Sequence, residues 1–329
     1  MAHGAAESGL DVVEIRMRGE ADLAAVCKLA GLIRERAFDV IHMHTSHAHT
    51  LGCLASTLAG RGARIVTRRV DFPIIKNVFS KLKYRWGVDK YIAISNAIKQ
   101  IMVAEGVAPG RIAIVHSGID VSRFDSVQAD PRLRSAFKLE PHQPVIGNVG
   151  HMADHKGQKY FIEAVPEVLS QFSAAKFMLV GDGELRSDLE GRAVRLGIAD
   201  SVVFAGFRTD IPQVLKLFDV FVMSSHMEGL CTSVMDAMAA GVPVVVTDAG
   251  GLPEIVQNEM NGLLVPAKKP PLLAEAILRL LKNREEGARF ATAARETVRE
   301  KFTADTMVEG NIRVYEELLR NLREERART

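Results

Sequence analysis

The chain has 329 residues, and its 42 Lys and Arg against 40 Asp and Glu give a formal net charge of only +2. At about 150 residues per domain, this length predicts two domains. A hydrophobic fraction of 47% with 25% charged residues is ordinary globular composition and excludes a predominantly disordered chain. The near balance of charge argues against bulk binding to nucleic acid. Three scattered cysteines are too few for a disulfide framework or a zinc knuckle.

No run of 18 or more consecutive apolar residues is present, so the sequence predicts no membrane-spanning helix. The first nine residues lack a basic segment followed by an apolar one, and no signal peptide is predicted. Sparse cysteines agree with a reducing compartment. We therefore expect a cytoplasmic protein, either free or attached peripherally to the inner face of the membrane.

Short β-branched runs alternate with helical patterns through the first third of the chain. The alternation of Val13, Ile15 and Met17 predicts a half-buried strand over residues 11–17. The elements predicted next are helix 22–36, strand 39–43, a helix within 48–60, strands 64–67 and 91–94, helix 97–105 and strand 112–115. Strands separated by helices favour right-handed crossovers in a parallel sheet. The strand count falls short of a complete doubly wound domain, so we expect this N-terminal domain to lack its opening strand and loop.

A polar segment, residues 121–143, contains two prolines and no strand pattern, and we predict the domain boundary there. The first domain then covers residues 1–138 and the second 139–304, and a charge-rich helix over about 305–329 is expected to pack back on the first. The strands predicted in the second domain are 145–150, 176–180, 202–204, 220–223, 242–247 and 263–265. The helices predicted there begin near residues 157, 184, 210, 232, 252, 271 and 285.

These elements predict an α/β protein of two Rossmann-like, doubly wound domains that face each other across a cleft, the N-terminal one incomplete. Ligands of open α/β sheets bind outside the carboxyl ends of the strands. The residues that follow predicted strands are therefore the first candidates for a functional site.

The richest of these segments is EGLCTSVMD, residues 228–236, which follows a strand and opens a helix. Glycine and small polar residues at a helix N-terminus expose backbone N–H groups to an anion, and the helix dipole adds to the attraction. Glu228 and Asp236 at its ends can accept hydrogen bonds from sugar hydroxyls. The alternative is a helix N-terminus whose acids only complement the dipole, with no ligand.

A second segment, residues 147–157, runs GNVGHMADHKG from a strand end to a helix start. Lys156 offers a point charge to a phosphate. The segment is not a P-loop, because the spacing GxxxxGK[ST] is missing. A purely structural turn is the alternative, and the strand-end turn at residues 181–184 is of similarly low specificity.

Four histidines, His42, His44, His47 and His49, lie at and after the end of a predicted strand. Imidazole is a common metal ligand, which makes a metal site one interpretation. No nearby cysteine or carboxylate completes a ligand set, so we favour one histidine that faces the cleft and predict no metal.

Residues 73–86, PIIKNVFSKLKYRW, combine an apolar stripe at helical spacing with four positive charges and no acid. Such a helix can rest on an anionic membrane surface, where each basic residue contributes about 1 kcal/mol. The alternative is a stripe that faces the core with a solvated basic back.

Together these segments resemble the retaining, GT-B-fold glycosyltransferases of family 4, known as group 1. Seven ordered motifs carry the resemblance across almost the whole chain, and the acid-to-acid segment followed by GVPVV and GGLPEIV is specific. The motifs are DVIHMHTSHAHTLG (39–52), YIAISNAIK (91–99), IVHSGID (114–120), VGHMADHKG (149–157), VGDGELR (180–186), VFAGFRTDI (203–211) and the run from MEGLCTSVMD to NGLLVP (227–266).

The resemblance implies a nucleotide-sugar donor held by the second domain and an acceptor held by the first. By position, Glu228 corresponds to the family acid that contacts the donor sugar, and Asp236 to the acid that holds the ribose. Lys156 corresponds to the lysine that neutralises the diphosphate, and His44 to the histidine that projects toward the donor sugar. The other donor-binding positions implied are Gly150, His151, Gly157, Arg208, Gly229, Leu230, Cys231 and Thr232.

Three positions depart from the family pattern: His151 stands for an arginine, Asp236 for a glutamate and Cys231 for a residue that is often glycine. The resemblance implies metal-independent, retaining transfer from a UDP-, GDP- or ADP-sugar to a lipid, polysaccharide or lipopolysaccharide acceptor, with the nucleotide-sugar as substrate and no cofactor. Two alternatives remain open. One is a catalytically silent nucleotide-sugar-binding subunit or truncated fragment, and the other is a sugar epimerase of the same fold.

Overall fold

The computed structural model describes residues 7–69, 83–84 and 87–328. Apart from Lys83 and Tyr84, the basic helix predicted at residues 73–86 lies outside the described residues. The chain forms two compact units. The first contains Met1–Ala93, Lys99–Ile114 and Ile312–Thr329, and the second contains Ile94–Ile98 and Val115–Asn311.

The first unit is built on four parallel strands that lie in chain order. They are β1 (Val40–Met43), β2 (Ala63–Arg68), β3 (Lys90–Ala93) and β4 (Ile112–Ile114). Its helices are α1 (Leu23–Arg36), α2 (Ser46–Ala59) and most of α3 (Asn96–Ala104). Asp22 caps α1 through the amide of Ala25, and Thr45 caps α2 through the amide of Ala48. Buried residues of α1 and α2 form one apolar cluster, which fixes these helices against each other.

The strand predicted at residues 11–17 is wrong, because this stretch pairs with no strand in the described part of the chain. Of its three alternating apolar side chains, only Ile15 packs against the α1–α2 cluster. Val13 and Met17 are exposed, so the face that the alternation predicts to be buried is not buried.

The second unit contains six parallel strands in the order β10-β9-β8-β5-β6-β7. The strands are β5 (Val145–Val149), β6 (Lys176–Val180), β7 (Val202–Gly206), β8 (Val220–Met223), β9 (Val244–Thr247) and β10 (Leu263–Val265). The helices in and after it are α4 (Pro131–Ala136), α5 (Gln158–Leu169), α6 (Arg186–Arg195), α7 (Ile211–Leu215), α8 (Thr232–Ala240), α9 (Leu252–Ile255), α10 (Pro270–Lys282), α11 (Arg284–Lys301) and α12 (Ala304–Arg328). The α/β class and the paired parallel sheets predicted from the sequence are confirmed.

The units divide the chain differently from the predicted boundary at 138. Residues 115–138 belong to the second unit, where the turn Val121–Phe124 packs on α8 and buries Phe124. Ile119 also bridges to Thr303. Helix α12 is shared, because its residues 304–311 belong to the second unit and 312–328 to the first. None of the helices within the described residues is both long and apolar enough to span a bilayer.

The core of the second unit lies between its sheet and the helices that cover it, with the ring of Phe161 in α5 tilted against that of Phe177 in β6. We predict that Phe161→Ala lowers the free energy of unfolding by about 3–5 kcal/mol, since a fully buried aromatic ring is removed and a cavity remains. Urea unfolding followed by circular dichroism measures this. Phe207→Ala is the control, because the Phe207 ring is 79% exposed. Equal losses in the two variants would contradict the core assignment.

Candidate functional site

The strand order of the second sheet reverses at β5. Strands β6 and β7 lie on one side of β5, and β8, β9 and β10 lie on the other. In open α/β sheets the crevice at such a reversal, at the carboxyl ends of the strands, is where ligands bind. Strands β5 and β8 pair through only two residue positions, and their loops leave the sheet at this edge. The two segments that the sequence analysis ranked first, 147–157 and 228–236, follow these two strands.

A buried ion pair joins the two loops. The ammonium nitrogen of Lys156 donates to Oε2 of Glu228 at 2.6 Å, and the Ser225 hydroxyl donates to the same oxygen at 3.3 Å. The Lys156 and Glu228 side chains are only 17% and 10% exposed. Removing one partner of such a pair leaves an uncompensated buried charge, so the two side chains hold each other in place.

Glycines permit the close packing that fixes the Glu228 backbone. The amide of Gly251 donates to the carbonyl of Glu228, and a Cβ at Gly250 would overlap that same carbonyl oxygen. Gly157, at φ +63°, lies against the carbonyl of Ser224 in the same way. The loops after β5, β8 and β9 therefore approach one another at backbone distance, and side chains at these glycines would separate them.

Helix α8 begins at this crevice. Cys231 occupies its N-cap position, and its side chain accepts no hydrogen bond from the first N–H groups of the helix. The Cys231 thiol is buried beside the Ser233 hydroxyl at 3.2 Å, and burial raises its pKa to about 11. Thr232 is exposed and Leu230 is buried. The thiol is therefore protonated at neutral pH and serves packing.

Asp236 lies on α8 one turn into the helix and is half-buried. Burial raises the pKa of its carboxyl to about 6, although the positive charge of Arg123 opposes this. Strongly shifted pKa values cluster at functional sites, so the raised pKa makes Asp236 a candidate site residue.

Two predicted donor residues lie apart from the Lys156–Glu228 pair. His151 is exposed and forms an ion-pair contact with Glu184 at 3.1 Å. Arg208 follows β7, two strands from β5, where its Nε donates to Asp210 at 2.8 Å and its guanidinium lies over the Phe137 ring. The structure thus brings Gly150, Gly157, Gly229, Leu230, Cys231, Thr232 and Asp236 to one edge with the pair, and gives His151 and Arg208 other partners.

The histidines of the first unit do not form one cluster. His44 is exposed just after β1, with its ring centroid 4.0 Å from that of His42. His49 is 2% exposed and packs edge-on against the rings of Tyr84 and Tyr91. Within the described residues, no group of three or more His, Cys, Asp or Glu side chains is arranged to hold a metal ion.

Sequence reasoning gave no role to Ser225 or to Glu254. Ser225 is completely buried, and its carbonyl accepts a hydrogen bond from Thr247. Glu254 accepts from the amides of Asn96 and Ala97 and contacts His116 at 3.0 Å. Burial disfavours the Glu254 carboxylate, but these hydrogen bonds outweigh it and lower its pKa. A glutamate after GGLP is visible in the sequence, whereas nothing in the sequence distinguishes Ser225.

The family model for glycosyl transferases group 1 matches residues 143–283, and that for glycosyltransferase family 4 matches residues 6–123. The 2-deoxystreptamine glucosyltransferase of Streptomyces kanamyceticus is 30% identical over 307 residues, 89% of this chain and 76% of that protein. The UDP-Gal:alpha-D-GlcNAc-diphosphoundecaprenol alpha-1,3-galactosyltransferase of Escherichia coli is 28% identical over 272 residues, 79% of this chain and 70% of that protein.

Among solved structures, Anabaena HepE in complex with UDP superposes with a TM-score of 0.77 at 25% identity, covering 90% of this chain and 82% of that one. The doubly wound sheets, the edge that carries the Lys156–Glu228 pair and these matches lead to one conclusion. The chain belongs to the group 1, family 4 glycosyltransferases of the GT-B fold.

We predict that Asp236→Asn stabilises the protein at neutral pH. Because burial raises the folded-state pKa to about 6 from the ordinary value of 3.8, the protonated acid contributes stability that is complete below about pH 4. That stability is lost as the pH rises to about 6. Relative to the parent, the variant should gain about 3 kcal/mol between pH 4 and pH 7, at 1.36 kcal/mol per pKa unit.

Urea unfolding at both pH values measures this difference. Asp188→Asn is the control of opposite sign, since a hydrogen bond from Arg192 lowers the pKa of the exposed Asp188. Its substitution should cost stability at neutral pH, and the cost should shrink on acidification. A stability difference between the parent and Asp236→Asn that is constant with pH would contradict the burial of this acid.

Proposed function

We propose that this glycosyltransferase is a retaining, metal-independent enzyme that moves a sugar from a UDP-sugar to a lipid-linked or polysaccharide acceptor. The observation that carries the proposal is the Lys156–Glu228 pair at the strand reversal of the second unit. It sets a phosphate-binding cation and a hydroxyl-binding anion side by side, next to a helix N-terminus.

The donor diphosphate is assigned to Lys156 and the N-terminus of α8. An ammonium group carries three N–H donors, so it can bridge the Glu228 carboxylate and a phosphate oxygen at once. The first N–H groups of α8 and the helix dipole add further attraction for an anion. Glu228 then accepts hydrogen bonds from hydroxyls of the donor sugar. Asp236, one turn into α8, accepts hydrogen bonds from the hydroxyls of the ribose.

The same groups favour departure of the nucleoside diphosphate. As the bond from the anomeric carbon to the phosphate oxygen breaks, negative charge grows on the diphosphate, and fixed positive groups stabilise it without reorganising. A bond forms from the acceptor hydroxyl oxygen to the same face of the anomeric carbon, and the acceptor proton passes to the leaving phosphate oxygen. Lys156 and α8 supply positive charge of the kind that a metal ion supplies in other transferases.

The relatives support the choice of donor and acceptor. The Escherichia coli relative is named for UDP-Gal and a diphosphoundecaprenol acceptor, and Anabaena HepE binds UDP. The Streptomyces relative is named for a small soluble acceptor, 2-deoxystreptamine, which is the competing acceptor class. A lipid-linked acceptor would bring the enzyme to the inner face of the membrane, where the basic residues 73–86 would meet anionic lipid. From its position in the family pattern, His44 is assigned a contact with the donor sugar.

The donor site is tested by thermal unfolding with UDP, GDP, ADP and their sugar conjugates. We predict a shift with uridine nucleotides, since a ligand at about 100 times its Kd adds about 2.7 kcal/mol of stability. Lys156→Ala should abolish the shift. Lys159→Ala is the matched control, because Lys159 lies three residues further along and pairs with the exposed Asp154. A shift of equal size in Lys156→Ala would contradict the assignment.

We predict that Glu228→Gln lowers the rate of sugar transfer at least about 100-fold while UDP binding survives, since the substitution removes a charge that acts on the sugar. Transfer of labelled sugar from UDP-glucose and UDP-galactose to extracted membrane lipid, with UDP release, measures this. Glu184→Gln is the control, an exposed acid at the same sheet edge. Nucleotide binding by the parent with no transfer to any acceptor would favour a silent binding subunit.

A further inference from the structure

Three polar side chains surround the ring of His42 in the first unit. Nδ1 of His42 lies 2.5 Å from the Tyr315 hydroxyl, and Nε2 lies 2.6 Å from the Thr67 hydroxyl. The Tyr315 ring meets the His42 ring edge-on, at 5.5 Å between centroids. The third neighbour is His44, whose ring centroid lies 4.0 Å from that of His42, with the two planes tilted by 39°.

Both ring nitrogens of His42 are occupied by protein hydroxyls. A neutral imidazole has one donor nitrogen and one acceptor nitrogen, and a hydroxyl can serve either of them. Burial, with help from the nearby His44 and Arg69, lowers the pKa of His42 to about 4, so the ring is neutral at neutral pH. His42 therefore has no nitrogen to offer a substrate, and its ring makes a tilted contact with the ring of His44.

His44 differs from His42 in its exposure and in its hydrogen bonding. Its side chain is exposed directly beyond the carboxyl end of β1, the end of a parallel sheet at which ligands bind. No described residue forms a hydrogen bond with its ring. Burial and the charge of Arg69 lower its pKa, which keeps it neutral and able both to donate and to accept.

We propose that Tyr315 and Thr67 are positioning residues for sugar transfer: they hold His42 in place, and the held ring fixes the orientation of the neighbouring His44. This proposal rests on the proposed function, because it needs His44 to face the reacting sugar. Thr67 is buried in β2 and β-branched, so its hydroxyl direction is restricted. Tyr315 is presented by the part of α12 that belongs to the first unit.

In this arrangement the C-terminal part of α12 influences the reaction through Tyr315. Residues 42 and 315 are 273 positions apart in the chain, yet their polar atoms meet at hydrogen-bond distance. If the Tyr315 hydroxyl is removed, Nδ1 of a half-buried ring has no partner, and the ring can turn. His44 loses the fixed ring contact with His42 in consequence, although no group that touches the substrate has changed.

The experiment compares Tyr315→Phe and Thr67→Val with the parent in transfer from UDP-glucose and UDP-galactose. Both variants keep the shape of the side chain: Tyr315→Phe removes a hydroxyl, and Thr67→Val replaces one with a methyl group. We expect kcat to fall at least about 10-fold while the Kd for UDP stays within about 2-fold. Thr67→Ser, which keeps the hydroxyl, should recover most of the rate. Glu317→Gln is the control on the exposed side of α12.

A second readout does not depend on turnover. In spectra of protein labelled with 15N at histidine, Tyr315→Phe should shift the ring nitrogens of both His42 and His44, with His44→Gln used to assign the signals. Parent-like kcat in Tyr315→Phe and Thr67→Val would overturn the proposal, as would an unmoved His44 signal. A parent enzyme that neither binds UDP nor transfers sugar would instead overturn the proposed function, and the two failures are thereby separated.

Discussion

Two loops at the edge of the second sheet are joined by a largely buried ion pair between Lys156 and Glu228, and the surrounding structure maintains that contact. Lys156 and Glu228 touch because β5 and β8 are neighbours at the point where the strand order reverses. Their loops can approach because glycines at 157, 250 and 251 carry no side chain where a carbonyl group passes. Ser225 donates to the shared carboxylate, so the pair has a fixed geometry before any substrate arrives.

This contact also explains why neighbouring charges have partners of their own. His151 follows β5 and Arg208 follows β7 at the same edge, and each contacts an acid, Glu184 and Asp210 respectively. Ion pairs that remain accessible to solvent contribute little to stability. Their effect is to leave Lys156 as the cation that the fold holds rigidly in the crevice, while the other two can exchange partners at small cost.

Local pattern predicted the second unit well, because most of its strands are short apolar runs that are buried on both faces. The strands Lys176–Val180 and Val220–Met223 and the helix Thr232–Ala240 have the bounds that the sequence indicates. Val242 was included in a predicted strand, yet its amide donates to Ala237 and closes α8, and Pro243 after it has no N–H to pair. Apolar character could not distinguish a helix end from a strand start.

The candidate site could be predicted from the sequence only in part, for a related reason. The residue types on each loop are local signals, but the pairing of Lys156 with Glu228 depends on strand order, which periodicity does not specify. His44 was chosen from four histidines by resemblance alone. The hydroxyls that occupy both nitrogens of His42 come from β2 and from α12, and no spacing in the sequence connects these elements.

The route of the chain between the two units limits how their parts can be exchanged between enzymes. The backbone passes from one unit to the other after residues 93, 98, 114 and 311. A chimaera with a single junction near residue 140 would therefore split the second unit and import a foreign α12 into the first. A chimaera designed to change the donor preference should take residues 312–328 from the same protein as the first unit, so that Tyr315 and His42 come from one sequence.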